Sequence, residues 1–176
     1  MRTRIFELVL FAMLGALMFC SKIIMEALPN IHLLGMFVIA FTLVFRVKAL
    51  IPIYVNVFLV GLYGGFNLWW IPYLYIWTIL WALALLIPKR TPHWLLCFIC
   101  PVLCSLHGFA YGILYAPAQA LFFDLSFEEM ISWIASGAVF DVMHGVGNFV
   151  AGLLIVPISI LMRRLLKKSG FHYANY

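Results

Sequence analysis

Charge is scarce in this chain. Asp, Glu, Lys and Arg together make up 10% of the residues, while 66% are hydrophobic. A soluble domain is roughly half apolar and about a quarter charged, so there is more oily surface here than a soluble core can bury. Hydrocarbon is the natural solvent for the excess. Acid is scarcer still, with six Asp and Glu against eleven Lys and Arg. The basic excess does not gather into the patch that nucleic acid requires. It comes in twos and fours between apolar runs, which is the pattern of a membrane protein.

Signatures of self-contained catalysis are also missing. No Gly-xxxx-Gly-Lys-Ser/Thr loop is present, so the chain has no phosphate cradle with which to hydrolyse ATP. No His-Glu-xx-His pair and no Gly-x-Ser-x-Gly elbow occurs. The four cysteines, Cys20, Cys97, Cys100 and Cys104, all lie in apolar stretches, where a thiol behaves as a small hydrophobe. Neither a metal nor an organic cofactor is expected.

What the sequence does have is apolar runs of membrane-spanning character. Roughly 20 apolar residues cross the hydrocarbon, and a helix sheltered in its own bundle needs fewer. Six spans follow, at about 6–28, 33–45, 50–63, 70–87, 93–115 and 138–162. They make one all-α transmembrane domain over 1–176. Met1-Arg2-Thr3-Arg4 resembles the start of a signal peptide, but the apolar stretch behind it leads into further spans and reads as a first span that stays. The first span stops at Pro29-Asn30. The second is short and is expected to be sheltered by its neighbours. Between the fifth and sixth, residues 116–137 change character. Ser126-Phe127-Glu128-Glu129 has the form of a capping box, and a short surface-lying or re-entrant helix is expected there.

Orientation follows from the basic residues. Arg2, Arg4, Arg46, Lys48, Lys89, Arg90, Arg163, Arg164, Lys167 and Lys168 all fall on one side of a six-span arrangement, and of the eleven only Lys22 is left over. Glu26, Asp124, Glu128 and Glu129 fall on the other side. Lys and Arg excess marks the cytoplasm, so both ends are expected inside.

Polar groups at membrane depth are costly and are functional candidates by default. Asp141, His144 and Asn148, spaced i, i+3, i+7, share a stripe of the last span. His107, Tyr111 and Tyr115 share a face of the fifth, and Asn56 lies in the third. Such groups either hydrogen-bond helix to helix or line a polar cavity. Tyr73, Trp77 and Trp81 form a column that runs deeper than an interfacial belt of aromatics requires. Rings with a few convergent polar groups suit a flat heterocycle. Lys22 and Glu26, four apart, either pair with each other or offer one member to a ligand. Ala12 and Ala16 form a small-xxx-small pattern, and Gly145, Gly147 and Gly152 permit close packing around the last span.

Taken together, the Ala-xxx-Ala first span, the Pro29-Asn30 loop, the six spans with both ends inside and the Phe140-Asp141-xx-His144-Gly145-xx-Asn148-Phe149 stretch resemble the substrate-binding S components of energy-coupling factor vitamin transporters. That resemblance covers nearly the whole chain. It implies a subunit of the bacterial plasma membrane that captures a vitamin-like micronutrient at the outer face. It also implies a transmembrane coupling protein and two cytoplasmic ATPases as partners. Ala12 and Ala16 would face the coupling protein. By position the family's pocket would take Glu26, Asn30 and His32 from the first outer loop, and Asn67, Trp69 and Trp70 from the second. Tyr73, Trp77, His107, Tyr111, Asp141, His144 and Asn148 would line the walls. Two alternatives stand beside this reading. One is a stand-alone secondary carrier. The other is an intramembrane metal-dependent enzyme built on His107, His144 and Asp141, a donor set that suits zinc.

Overall fold

A computed structural model describes residues 2–28 and 30–169. Pro29 and the side chains of Arg2 and Arg4 lie outside the described residues. The regular structure of the described residues is all helix: α1 (Arg2–Ile24), α2 (Leu34–Phe45), α3 (Leu50–Gly64), α4 (Tyr73–Leu85), α5 (His93–Phe109), α6 (Tyr111–Phe123), α7 (Phe127–Gly152) and α8 (Ile155–Lys168). Short 3-10 turns at Arg46–Ala49 and Leu68–Trp70 lead into α3 and α4. Among the described residues, five stretches are long and apolar enough to cross a membrane: Ile5–Ile24, Leu34–Gly64, Leu68–Leu85, His93–Phe123 and Phe127–Gly152.

α2 is the axis of the bundle. All twelve of its residues are buried, and α1, α4, α5, α7 and α8 pack against it. At 1.5 Å per residue, twelve residues rise only about 18 Å, so this helix relies on its neighbours for shelter, as its length implies. It ends at Arg46, a non-glycine residue with φ 54° and ψ −124°, a backbone state that costs roughly 1–3 kcal/mol. Three contacts hold it there. The Arg46 guanidinium donates to the carbonyl oxygens of Leu85 and Ile87, and the Arg46 carbonyl accepts from Trp81 Nε1 at 3.2 Å. The last carbonyls of α4 thereby gain a cationic donor where the helix dipole is negative.

The second half of the chain departs from the spans read in the sequence. No separate helix fills 116–137. The helix of span five runs on as α6, with a break at Ala110, and α7 starts at Phe127 and continues unbroken to Gly152. The capping box is present: Glu129 N donates to Ser126 Oγ (3.3 Å) and Ser126 N donates to Glu129 Oε2 (2.8 Å). It therefore starts the long helix rather than a short one of its own. The charged residues that suggested a surface segment form the turn where α6 ends and α7 begins. The α5–α6 break has a visible cause, because Gly112 N donates to Asp141 Oδ1 at 2.9 Å, and a side chain inserted into the helical ladder bends it. At the other end of α7, Pro157 has no N–H for the Leu153 carbonyl, and a turn at 153–154 separates α7 from α8.

Close helix approach depends on small residues. A Cβ on Gly108 would sit 2.8 Å from the His144 carbonyl oxygen and 2.9 Å from Gly145 Cα. One on Gly152 would sit 2.7 Å from Pro101 Cα. Gly145 and Gly152 thus act as expected, whereas Gly147 has ordinary room, with Ile31 3.5 Å away. On α1 the small residue turned to α3 is Gly15, against Val55 and the Pro52 carbonyl. Ala12 is exposed and Ala16 half-buried.

Candidate functional site

The two ends of the bundle differ in chemistry. At one end Lys48 pairs with Glu7 at 2.6 Å, Arg46 binds the end of α4, and Arg163 Nη2 donates to the Leu43 carbonyl. These contacts bring together the start of α1, the ends of α2 and α4, and the last turns of α8. Among the described side chains, Arg46, Lys48, Lys89 and Arg163, from three of the four basic positions, therefore occupy one rim, in line with the charge pattern.

Toward the other end, rings and imidazoles from four helices and the α1–α2 connection converge. Trp77 is the centre, with the rings of Tyr73 (6.1 Å), His107 (5.7 Å), Tyr111 (6.1 Å) and His32 (5.8 Å) around it. His144 lies 4.6 Å from both the Tyr111 and His32 rings. Its Nε2 is 2.6 Å from His32 Nε2, so one imidazole donates and the other accepts. The column extends outward from Tyr73 to Trp69, and from Tyr111 to Tyr115 and the stacked Trp133. Tyr115 Oη donates to the Trp69 carbonyl at 2.7 Å, tying α6 to the loop before α4.

These groups are packed on one another rather than spread around an open hollow. Exposure is 2% for Trp77, 4% for His107, 5% for His144 and 2% for Asn148, values that place them in the interior. Several polar atoms there nevertheless lack a hydrogen-bond partner: Trp77 Nε1, His32 Nδ1, His107 Nδ1 and Asn148 Oδ1. His107 Nε2 meets the Ile76 carbonyl at 3.1 Å. A buried polar atom without a partner costs about 1–3 kcal/mol, so four around one set of rings is an unusual expense. His32 belongs to the connection between α1 and α2. Burial, and next the neighbouring His144, push its imidazole down from 6.5 to about 3, which keeps it neutral.

The remaining expected residues divide. Asp141 is buried and serves the α5–α6 break through Gly112, which is the helix-to-helix role. A Cβ on Gly112 would come within 2.3 Å of Asp141 Oδ2, so the fit is close. Trp70 Nε1 donates to the Val57 carbonyl at 2.8 Å, which anchors the loop before α4 to α3. Asn67 starts the 3-10 turn of that loop. Glu26 is exposed in the turn after α1, and Asn30 is half-buried with φ 58°. Trp81 points to the basic end through Arg46. Trp133, absent from the sequence reading, joins the ring column. Its signal was faint, because it lies in the segment read as a surface helix.

A crevice of about 550 Å³ runs beside the cluster between the α1–α2 connection and α7, with Met25, Ile31, Val142 and Val146 in its wall and His32 at its polar edge. Among the described residues no group of three or more His, Cys, Asp or Glu side chains is placed to hold a metal ion. Fold and site together define a helical protein with several apolar helices able to span a membrane. No known family, curated protein or solved structure matches the chain significantly.

Proposed function

We propose that this chain is the substrate-capture subunit of an energy-coupling factor type transporter. In this reading it has six spans and both ends in the cytoplasm of a bacterial cell. It binds a small heterocyclic, vitamin-like compound at the outer end and hands it to an ATP-driven module. The observation that carries this reading is the closed group of Trp77, His107, Tyr111, His144 and His32 with four unpartnered polar atoms, set opposite the basic rim. Flat rings offer stacking faces, and the unpartnered atoms offer one indole donor, two imidazole nitrogens and one amide acceptor. A heterocycle with ring nitrogens and carbonyls has the complementary set, and a neutral one suits a site whose imidazoles stay uncharged and whose His32 feels the positive charge of Lys22.

Two further features support the reading. His32 stands between the crevice and the cluster, so a shift of the α1–α2 connection would open a path to Trp77. The exposed Ala12 and half-buried Ala16 leave a small-residue face on α1 for a partner helix.

Native mass spectrometry of the purified chain should show a co-purifying compound of low mass. Trp77→Phe and His144→Gln should each weaken its binding at least tenfold, about 1.4 kcal/mol, while the fold stays intact by circular dichroism. Wild-type affinity in both variants would remove the cluster from the binding site.

A further inference from the structure

The basic end holds a second cavity, of about 250 Å³, and its chemistry differs from everything at the ring cluster. Arg46, Lys89, His93 and Arg163 contribute its polar wall, and Leu43, Leu96, Val156 and Ile160 are among its apolar residues. All six acidic residues of the chain are described, and none lines it. Glu7, the acid at this end, is engaged with Lys48. Arg46 and Arg163 share the wall of this cavity, and burial, then the like charge of Arg46, push Arg163 below its ordinary value.

Their donors are only partly used. A guanidinium has five N–H groups. Arg46 gives two bonds to the end of α4, and Arg163 gives one to Leu43. These backbone bonds fix both forks in place. The N-terminus of α5 opens at His93 on the same wall and adds the positive end of a helix dipole. Positioned guanidiniums, an ammonium and a helix N-terminus without a carboxylate are complementary to a tetrahedral oxyanion.

We propose that this cavity is a phosphate-group site at the membrane rim. The aliphatic part of the wall points to a phospholipid headgroup as the source, because the cations would hold the phosphate while Leu43, Leu96, Val156 and Ile160 take the glycerol and the first methylenes. Basic pockets between transmembrane helices bind anionic headgroups in this way. Trp94, 73% exposed one residue beyond His93, supplies the indole expected at headgroup level.

The test is native mass spectrometry of the detergent-purified full chain, titrated with dioleoyl phosphatidylglycerol or dioleoyl phosphatidylcholine, with and without inorganic phosphate. Phosphatidylglycerol should be retained at least about tenfold better. Lys89→Gln, at an exposed loop position, should lower that affinity about fivefold, and Arg163→Gln should lower it further. Lys168→Gln, at the same end but outside the cavity, should leave it unchanged. Retention unaffected by inorganic phosphate assigns the site to lipid. Displacement by inorganic phosphate, with phosphate itself bound, assigns the same site to the free anion. Equal retention of the two lipids with no phosphate binding overturns the proposal, as does a loss in Lys168→Gln matching that in Lys89→Gln. The cations would then answer to carboxylates of a protein partner.

Discussion

The two ends of this bundle treat polar groups in opposite ways. At the basic end the functional groups are engaged: Arg46 on two helix-terminal carbonyls, Arg163 on a third, Lys48 on Glu7. At the ring cluster the interior atoms Trp77 Nε1, His32 Nδ1, His107 Nδ1 and Asn148 Oδ1 have no partner. A satisfied polar group secures architecture. An unsatisfied one costs stability in the folded protein and is retained where another requirement outweighs that cost. The comparison therefore separates bonds that hold the fold, such as those fixing the Arg46 and Arg163 forks, from polar atoms left open to a ligand.

The strongest way to break it is at Arg46. Arg46→Gln leaves the unusual backbone angle in place and removes the donors that hold it. Hydrogen bonds from a charged group contribute about 1.5–3 kcal/mol each. Unfolding by sodium dodecyl sulfate should show a loss of about 3 kcal/mol, with binding at the ring cluster kept in the molecules that remain folded. A loss below about 1 kcal/mol would mean that the rim is decoration and the contrast is false.

A second test moves the pH. His32 is held near 3 against an ordinary value of 6.5. Between these values the unfolded chain binds the proton and the folded chain does not, so stability is full above about 6.5 and falls as the pH drops toward 3. The charged or titratable groups acting on it, His144, His107 and Lys22, all oppose protonation. Between pH 8 and pH 5 the loss from this group reaches up to about 2 kcal/mol, and His32→Gln should flatten that part of the slope. An unchanged slope in the variant would place the titration elsewhere.

Much of this arrangement was legible in the residues, and the missing part has a physical reason. The basic residues announce one rim because charge is expensive in hydrocarbon wherever the chain folds. The 3.6-residue period aligns Tyr73 with Trp77, and His107 with Tyr111, without any tertiary information. Composition could not say whether Asp141 faces a cavity or a neighbouring backbone. That depended on the break at Ala110, which Asp141 itself helps to create through Gly112. Residues 116–137 misled for a related reason. Ser126, Glu128 and Glu129 read as the start of a short helix in a stretch too charged to span, and only the path of the chain shows that this start belongs to a helix running on to Gly152. Nor does spacing predict that His32 would reach His144, 112 positions away, because loop residues carry no periodicity.

Asn56 sharpens the comparison from a third place. It is fully buried in α3, with 0% exposure, and both its Oδ1 and Nδ2 lack a partner. The helix-to-helix hydrogen bond that a membrane asparagine ordinarily makes is not formed. Leucine has nearly the same shape and no polar atoms, and replacing an unpaired amide with it removes a desolvation cost rather than a contact. Asn56→Leu should therefore raise stability by about 1 kcal/mol, the opposite sign to Arg46→Gln. The same detergent titration measures both. If Asn56→Leu also weakens ligand binding, the unpartnered amide belongs with Trp77 and His107 among the acting groups. If it destabilises by as much as Arg46→Gln, an unpartnered atom is no guide to function here, and the distinction between the two ends fails.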